Sequence, residues 1–298
     1  MNPPIWRLQR LQVCCALMTC VLWLALSIPM ILAVKAQDHP TTPTETATVT
    51  PTPTNTPTAT PPYRYQAATW TSIRPGLEYG LYFPPYSGGA QLIIVRIDPS
   101  AFAIRAHYRA GEPLHREEWQ AALACPMVLV NANFFDLQNQ IEGLLVTDGL
   151  THGTAFEGIG GIFQIDSTSR VSVRSTIAEP YDNEPLWQAV QGYPMLILNG
   201  RATYPNNDGD IITRRTAVAI DRDGHVLLIG TPGLGIRLAT LADYLTRIDI
   251  EIVSAVNLDG GSSSLMYVNT ATEPKVAIDS LYPVPSVLAI YAGNVPDC

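Results

Sequence analysis

Two consecutive segments at the start of the chain confine any folded domain to the residues that follow them. Leu11 to Val34 is a run of 24 residues without a charged side chain, preceded by Arg7 and Arg10. As a helix this run would span about 36 Å, against about 30 Å for the hydrocarbon core of a bilayer. Residues 37–62 form a Thr/Pro tract with almost no large apolar side chain, so they cannot bury enough surface to offset chain entropy. The fold therefore has to come from residues 63–298.

The first 36 residues are predicted to direct export. Their apolar run is longer than the roughly 7–15 residues of a cleavable signal, which favours a retained membrane anchor. Val34-Lys35-Ala36 has the pattern of a small-residue cleavage site, so a cleaved signal peptide is the alternative. In both cases the preceding arginines hold the N-terminus inside, and we expect the body outside the cytoplasm, either membrane-anchored or secreted. The Thr/Pro tract is predicted to be a disordered, extended linker between the hydrophobic helix and the domain.

The charge of the body argues against nucleic-acid binding. The chain carries 18 basic and 26 acidic side chains, a net charge of −8. Three basic and two acidic side chains precede residue 63, so residues 63–298 carry −9. A nucleic-acid partner would require a basic face that displaces counterions from phosphates, and this composition predicts none.

The body contains few residues that could hold a metal or a cofactor. Cys125 and Cys298 are its only cysteines, and in an oxidising compartment they could form a disulfide, with two free thiols as the alternative. Its four histidines have no metal-ligand spacing, and neither a Walker A loop nor a dinucleotide fingerprint is present. We therefore predict no cofactor and no metal site, although exposed carboxylates could bind calcium. The sequence leaves the oligomeric state open.

The hydrophobic pattern predicts a single α+β domain with antiparallel or mixed β-sheets flanked by a few helices. Strands are predicted where β-branched runs end at turn signals, and helices where apolar residues recur at spacings of three and four. There is no long βαβ series, which argues against a doubly wound fold. The main predicted strands are Leu92 to Ile97, Phe102 to Tyr108 (which could pair back on the first as a hairpin), Met127 to Val130, Thr216 to Ile220, Val226 to Ile229, Ile252 to Leu258 and Val284 to Tyr291, and the helices are Arg116 to Ala124 and Arg237 to Ile248.

The first candidate site lies where the strand over residues 127–130 runs into Asn131-Ala132-Asn133-Phe134-Phe135-Asp136. Amides and a carboxylate at the end of an apolar strand are costly unless they meet a ligand or each other. Asn131 and Asn133 would point to the same side of an extended chain. We expect either a ligand site at these residues or two amides that only fix the neighbouring loop.

The second candidate follows the strand over residues 252–258, which delivers Asp259 to the edge of a sheet. Gly260 and Gly261 allow the backbone to turn sharply and to approach a ligand closely. Successive backbone amides and the hydroxyl of Ser262 then offer donors to an anion or a sugar. The alternative is a tight surface turn.

The third candidate is Arg214-Arg215-Thr216, at the start of a predicted strand. Arg215 could bind a phosphate or a carboxylate through a paired fork of donors. In a domain of net charge −9, an anionic substrate would need such a local cation. The alternative is a solvated arginine pair.

Six segments follow one another along the body, and their order is more specific than any one of them: Val130-Asn131-Ala132-Asn133-Phe134-Phe135, Gly143-Leu144-Leu145-Val146-Thr147-Asp148-Gly149, Gly192-Tyr193-Pro194-Met195-Leu196, Arg215-Thr216-Ala217-Val218-Ala219-Ile220, Leu241-Ala242-Asp243-Tyr244-Leu245 and Asn257-Leu258-Asp259-Gly260-Gly261-Ser262-Ser263. In this order they resemble the phosphodiester glycosidase domain family, over roughly residues 92–291. Ser262 stands where members of that family often carry a third glycine.

The resemblance implies hydrolysis of the C1–O–phosphate bond of a sugar, on a carbohydrate or sugar-phosphate substrate. It implies that Asp259 stabilises or attacks the anomeric carbon or activates water, and that Arg215 neutralises the phosphate. Asn131 would complete this catalytic group by holding a sugar hydroxyl. The residues implied in substrate binding are Asn133, Phe135, Asp136, Thr216, Gly260, Gly261 and Ser262, and the candidates for a second carboxylate are Asp136, Glu142 and Asp148.

Two other functions remain open at this stage. The domain could be a non-catalytic cell-surface module that binds an envelope glycan through the same pocket. A serine hydrolase that uses His152 or His225 is also possible, although Ser262 to Ser264 lack the Gly-x-Ser-x-Gly turn.

Overall fold

The computed structural model describes residues 64–85, 87–205, 208–270 and 276–293. The predicted anchor (1–36), the linker (37–62) and Cys298 lie outside these residues, while Cys125 is disulfide-bonded. In the described part of the chain, no helix combines the length and the apolar character that a membrane span requires.

Twenty strands and two short α-helices make up the described fold. The strands are β1 (Thr69–Arg74), β2 (Leu77–Tyr82), β3 (Leu92–Ile97), β4 (Phe102–Tyr108), β5 (Val128–Asn131), β6 (Phe134–Phe135), β7 (Ile141–Glu142), β8 (Leu145–Thr147), β9 (Leu150–His152), β10 (Gly161–Asp166), β11 (Val171–Ser175), β12 (Leu186–Gly192), β13 (Met195–Leu198), β14 (Arg201–Ala202), β15 (Thr216–Asp221), β16 (Val226–Gly230), β17 (Ile252–Asn257), β18 (Met266–Val268), β19 (Val276–Ile278) and β20 (Ser286–Ala292). The helices are α1 (Arg116–Ala122) and α2 (Leu238–Leu245), and Gly261–Ser263 forms a 3₁₀ turn.

The strands form three large sheets and one two-stranded ribbon. The first sheet has the order β1-β2-β3-β16-β15-β17-β13-β14, the second β11-β10-β12-β8-β9, and the third β19-β18-β5-β20-β4, while β6 pairs with β7. All pairs between these strands are antiparallel. The predicted antiparallel sheets with a few helices are thus confirmed, and helix contributes less than an α+β description suggests.

One buried core joins the three sheets and fixes the strand ends that carry the site. Val218 and Val256 of the first sheet, Phe163 of the second, and Val130 and Leu288 of the third belong to a single buried cluster. Burial of each such side chain stabilises the fold by about 1.5–3 kcal/mol. The sheets are therefore held in a fixed relation, which positions the loops between them.

Each α-helix covers the outer face of a sheet. Ala217 and Ala219 alternate with the core residues of β15 and pack with Leu241 and Leu245 of α2. Trp119 of α1 packs in the same way on the outer face of the third sheet. The helical periodicity of the sequence thus marks one face that packs on a sheet.

The predicted hairpin between β3 and β4 is wrong. β3 pairs with β2 on one side and with β16 on the other, so neither of its edges is free. β4 instead pairs along its whole length with β20, near the other end of the chain. The strands predicted over Thr216 to Ile220 and Val226 to Ile229 are confirmed as β15 and β16, and they pair as a hairpin with Thr216 opposite Gly230.

Candidate functional site

Three polar strand ends from two sheets meet at one place. The backbone N–H of Asp259 donates to Ala132 O at 3.1 Å, and the N–H of Leu258 donates to Thr216 O at 2.8 Å. Asn131 Nδ2 donates to Asp259 O at 2.7 Å, and Thr216 Oγ1 donates to Asn131 Oδ1 at 2.7 Å. The structure therefore brings together the ends of β5 and β17 and the start of β15.

Asn131 is buried and holds these strand ends together. Its Oδ1 also accepts the N–H of Leu265 at 2.9 Å, so both polar atoms of the amide bind protein groups. The hydroxyl of Thr216 is likewise used by Asn131. Asn131 therefore fixes the neighbouring loop, which is one of the two roles expected from the sequence. A further role of either residue in the reaction stays a prediction.

Asn133 is buried beside Asn131 and keeps one acceptor unpaired. Its Nδ2 donates to Leu144 O at 2.9 Å and to Gln191 O at 3.3 Å, which fixes the orientation of the amide. Its Oδ1 is buried and has no partner in the described structure. An unpaired buried acceptor costs about 1–3 kcal/mol, so this atom is suited to accept a hydrogen bond from a ligand or a water.

Two further unpaired polar atoms flank Asp259, and sequence reasoning gave them no role. Asn257 Nδ2 donates to Tyr193 O at 2.8 Å, while its Oδ1 is buried and unpaired among the described residues. Ser264 Oγ, five residues after Asp259, is unpaired in the same sense. The sequence does carry a signal for Asn257, because it is a polar residue at the end of an apolar strand. The same signal marked Asn131 as a candidate.

Asp259 has the electrostatics expected of a reacting carboxyl group. Its side chain is only partly exposed, and desolvation by burial raises its pKa to about 6. Hydrogen bonds from the Ser263 side chain and from the Gly260 N–H oppose this shift in pKa, and the negative charge of Glu142 adds to it. Gly260 N lies 2.8 Å from Asp259 Oδ1. Near neutral pH this group can therefore hold or release a proton.

The turn after Asp259 requires both glycines. A Cβ at Gly260 would lie 2.9 Å from Arg214 O, and Gly261 has φ +61°. The N–H of Gly261 donates to Arg214 O at 2.8 Å, so the turn packs on the backbone before β15. Ser262 is partly exposed, and its carbonyl accepts the N–H of Leu281 at 2.7 Å.

Arg214 binds this turn, whereas the guanidinium of Arg215 does not. Arg214 Nε donates to Gly261 O at 2.9 Å, and its Nη1 donates to Asp279 O at 2.7 Å. Arg215 Nη2 instead pairs with the buried Asp210 at 3.2 Å, and its Nε donates to Ile236 O at 3.0 Å. Burial lowers the pKa of both guanidinium groups, and Asp210 partly offsets this for Arg215. The predicted phosphate contact of Arg215 stays a prediction.

Of the three candidates for a second carboxylate, Glu142 is the one whose charge acts on Asp259. It is exposed and lies opposite Phe134 in the β6–β7 ribbon. Asp136 Oδ1 accepts the N–H groups of Gln138 and Gln140 at 2.8 Å each and so closes that ribbon. Asp148 Oδ1 instead accepts hydrogen bonds from Arg105 Nη1 at 3.1 Å and Gln188 Nε2 at 2.7 Å.

Phe135, a predicted substrate-binding residue, is partly buried. It packs against the cluster that contains Trp119. At least part of its ring therefore stabilises the fold, and a contact with substrate stays a prediction.

Within the described residues, one group of three potential metal-ligand side chains lies close together, but the guanidinium of Arg96 already binds it. The ligand atoms of Asp221, Asp223 and His225 lie within 4.8 Å of one another. Arg96 donates from Nε to Asp221 Oδ2 at 3.0 Å and from Nη2 to Asp223 Oδ2 at 3.1 Å. Asp221 Oδ1 also accepts backbone N–H groups of this β15–β16 turn. These contacts explain the cluster as a charged hairpin turn.

Comparisons with known proteins identify the family and support the fold. A family model described as phosphodiester glycosidase matches residues 126–291, more than half of the chain. The solved catalytic domain of zebrafish N-acetylglucosamine-1-phosphodiester alpha-N-acetylglucosaminidase, auto-inhibited by its pro-peptide, aligns with a TM-score of 0.58 and 20% identity over 77% of this chain and 88% of that chain. A hypothetical protein from Synechocystis aligns with a TM-score of 0.54 and 15% identity over 77% of this chain and 68% of that chain. At these identities the two structures support the fold alone. The search of curated proteins gave no match.

Proposed function

Because this chain belongs to the phosphodiester glycosidase family, we propose that it is an exported hydrolase that cleaves the C1–O–phosphate bond of a sugar-1-phosphodiester in an envelope or extracellular glycan. The observation that carries the proposal is Asp259. This carboxyl group has a pKa of about 6 and lies where three polar strand ends meet. Perturbed carboxyl groups of this kind are typical of sites that move protons.

Asp259 and Glu142 would divide the chemistry between them. Glycoside hydrolysis passes through an oxocarbenium-like state and usually uses two carboxyl groups. We assign the proton to Asp259, which would transfer it to the departing phosphate oxygen as the C1–O bond breaks. The second pKa of a phosphomonoester is also about 6, so donor and acceptor are matched. Glu142 would stabilise or attack the anomeric carbon, or accept a proton from the water whose oxygen bonds to C1.

The neighbouring groups would bind the two halves of the substrate. Asn133 Oδ1 and Asn257 Oδ1 are unpaired acceptors suited to sugar hydroxyl groups. Arg214, which lies against the glycine turn, offers a positive charge for the phosphate. Arg215 would contribute to the same positive field, and it also fixes the segment through Asp210.

The test is turnover of a panel of sugar-1-phosphodiesters, with both products identified. We expect release of free sugar and of a phosphomonoester, with a rate that falls as pH rises through about 6, because the proton donor is then lost. Asp259→Asn should lower kcat by about 10²–10⁴.

The matched control is Asp243→Asn. Asp243 is an exposed carboxylate on α2 that pairs with Arg247, and its replacement should leave the rate unchanged. The proposal fails if the unmodified protein cleaves no member of the panel, or if Asp259→Asn keeps the original rate. Tight binding without turnover would support the glycan-binding module instead.

A further inference from the structure

Five large apolar side chains are exposed on the segments that adjoin the turn after Asp259. Their exposed fractions range from 56% to 84%. Exposed apolar residues that gather at one place usually mark a binding surface. The five, called the apolar rim below, are Ile211, Ile212, Leu234, Leu281 and Tyr282.

Backbone contacts place the rim beside the candidate site. Leu281 donates its N–H to Ser262 O at 2.7 Å, and Tyr282 follows it in the chain. Thr213, which follows Ile212, has its Oγ1 at 3.4 Å from the Cβ position of Gly261. All of these segments therefore adjoin the Gly260–Ser263 turn.

The remaining rim residue, Leu234, reaches the same place through Thr213. Ile236 donates its N–H to Thr213 O at 2.9 Å, and Leu234 lies two residues before it. Arg214 connects the segments, since it donates both to Gly261 O and to Asp279 O. The rim and the cation are thus neighbours.

The following inference rests on the proposed function. We propose that the group esterified to the phosphate is an apolar chain, of the alkyl or prenyl class, which lies on the apolar rim. Such a substrate has three parts in order: a polar sugar, an anionic phosphate and an apolar chain. The site holds groups of the same three kinds, namely the unpaired acceptors of Asn133 and Asn257, the carboxyl group of Asp259 with the cation of Arg214, and the rim.

A cation next to apolar side chains favours this substrate over a protein partner. An apolar chain that ends in a phosphate satisfies Arg214 and the rim together, whereas an apolar protein surface would desolvate the guanidinium and leave it only Asp279, which already pairs with Arg116, as a counter-charge. The predicted membrane anchor of residues 1–36 would also hold the domain near lipids.

The first test compares the binding of methyl phosphate and octyl phosphate to the purified full chain by calorimetry, below the concentration at which octyl phosphate forms micelles. Each buried methylene adds severalfold to affinity, so we expect octyl phosphate to bind at least about tenfold more tightly. The double variant Leu281→Ser/Tyr282→Ser should lose this ratio. Both side chains are largely exposed, so folding should be unaffected, and a melting curve checks this.

The control is Leu150→Ser, which removes an equally exposed apolar side chain on β9 and should keep the ratio. A second pair, Ile212→Ser/Leu234→Ser, removes the opposite part of the rim and should also lower the ratio. Equal binding of the two phosphates, or a ratio unchanged in both double variants, would overturn the inference. The inference would also be overturned if the rim variants changed the self-association of the chain and left the binding of both phosphates unchanged.

The second test separates this inference from the proposed function. Methyl and octyl diesters of the same sugar-1-phosphate are compared as substrates. If both are cleaved at equal kcat/KM, the inference fails and the hydrolase stands. If neither is cleaved but octyl phosphate still binds through the rim, the proposed hydrolase fails and the apolar-chain site stands.

Discussion

A single carboxyl group, Asp259, couples the candidate chemistry to stability. Its pKa rises from the ordinary value of 3.8 to about 6 on folding, so the folded protein binds the proton more tightly than the unfolded chain. Stability contributed by this site is therefore present at low pH and falls as pH rises from about 4 through about 6. Two pKa units correspond to roughly 3 kcal/mol, which the solvent-exposed part of the side chain reduces.

We therefore expect Asp259→Asn to stabilise the protein above about pH 6, by about 2–3 kcal/mol, because the neutral amide avoids the cost of a desolvated charge. The difference from the unmodified protein should vanish below about pH 4. Urea denaturation at a series of pH values measures it, with Asp243→Asn as the exposed control. A destabilised Asp259→Asn variant at pH 8 would contradict the assigned pKa shift.

The two adjacent arginines should give different phenotypes. Arg215→Ala leaves the carboxylate of Asp210 buried without its guanidinium partner and should lower the free energy of unfolding by roughly 3 kcal/mol. Arg214→Ala leaves no buried charge unpaired, so we expect a smaller loss of stability and a larger loss of activity on anionic substrates than on neutral aryl glycosides.

Arg247→Ala controls for the removal of an arginine, because its pair with Asp243 is exposed on both sides and should be worth less than about 1 kcal/mol. Equal loss of anionic and neutral substrates in Arg214→Ala would remove that residue from the phosphate contact. If only Arg215→Ala shows the selective loss, the phosphate contact belongs to Arg215, as the sequence predicted.

At the scale of elements, sequence patterns located strands with regular apolar runs and missed one whose buried face is polar. β15, β16 and β17 lie within one or two residues of their predicted bounds. β12 is central to the second sheet, yet it was not predicted, because Gln188 and Gln191 interrupt its hydrophobic pattern. Both glutamines are fully buried and accept hydrogen bonds from backbone N–H groups of neighbouring segments. Periodicity cannot show that a polar side chain will find such partners.

Gln191 is a buried polar side chain that finds such partners, and it gives the third prediction. Its Oε1 accepts the N–H groups of Leu144 at 2.9 Å and Phe156 at 2.8 Å, and its Nε2 donates to Phe156 O at 2.9 Å. Gln191→Leu leaves these three backbone groups unpaired and should lower the free energy of unfolding by about 2–4 kcal/mol.

Chemical denaturation measures this change, and Gln138→Leu, at an exposed position on the β6–β7 turn, is the matched control with an expected change below about 0.5 kcal/mol. If Gln191→Leu were neutral, the buried glutamine would be filling space rather than satisfying the backbone.

At the scale of the whole molecule, the candidate site arises from topology that no single segment of sequence contains. β5 belongs to the third sheet, while β15 and β17 belong to the first, so the three polar ends meet only when the sheets pack. Each turn by itself was a weak signal, and only the ordered resemblance joined them before the structure was known. The sequence could not indicate which arginine would face the turn, because adjacent side chains at a strand start point in different directions.

Asn131 joins the two sheets at this junction, which gives the last prediction. Its amide binds Asp259 O, Thr216 Oγ1 and the N–H of Leu265, so Asn131→Ala removes these three side-chain hydrogen bonds. We expect a loss of about 2–4 kcal/mol in stability and a lower kcat even under conditions where the variant is fully folded, because Asp259 is then less firmly positioned.

Amide hydrogen exchange distinguishes this local loosening from global destabilisation. In Asn131→Ala the amide of Leu265, which loses its acceptor, should exchange faster by a larger factor than the amides of the β15–β16 hairpin. Asn269→Ala, at a position whose side chain joins none of these groups, should change neither quantity. If Leu265 and the hairpin accelerated by the same factor, Asn131 would act on the fold as a whole, and the junction would not be a separately positioned site.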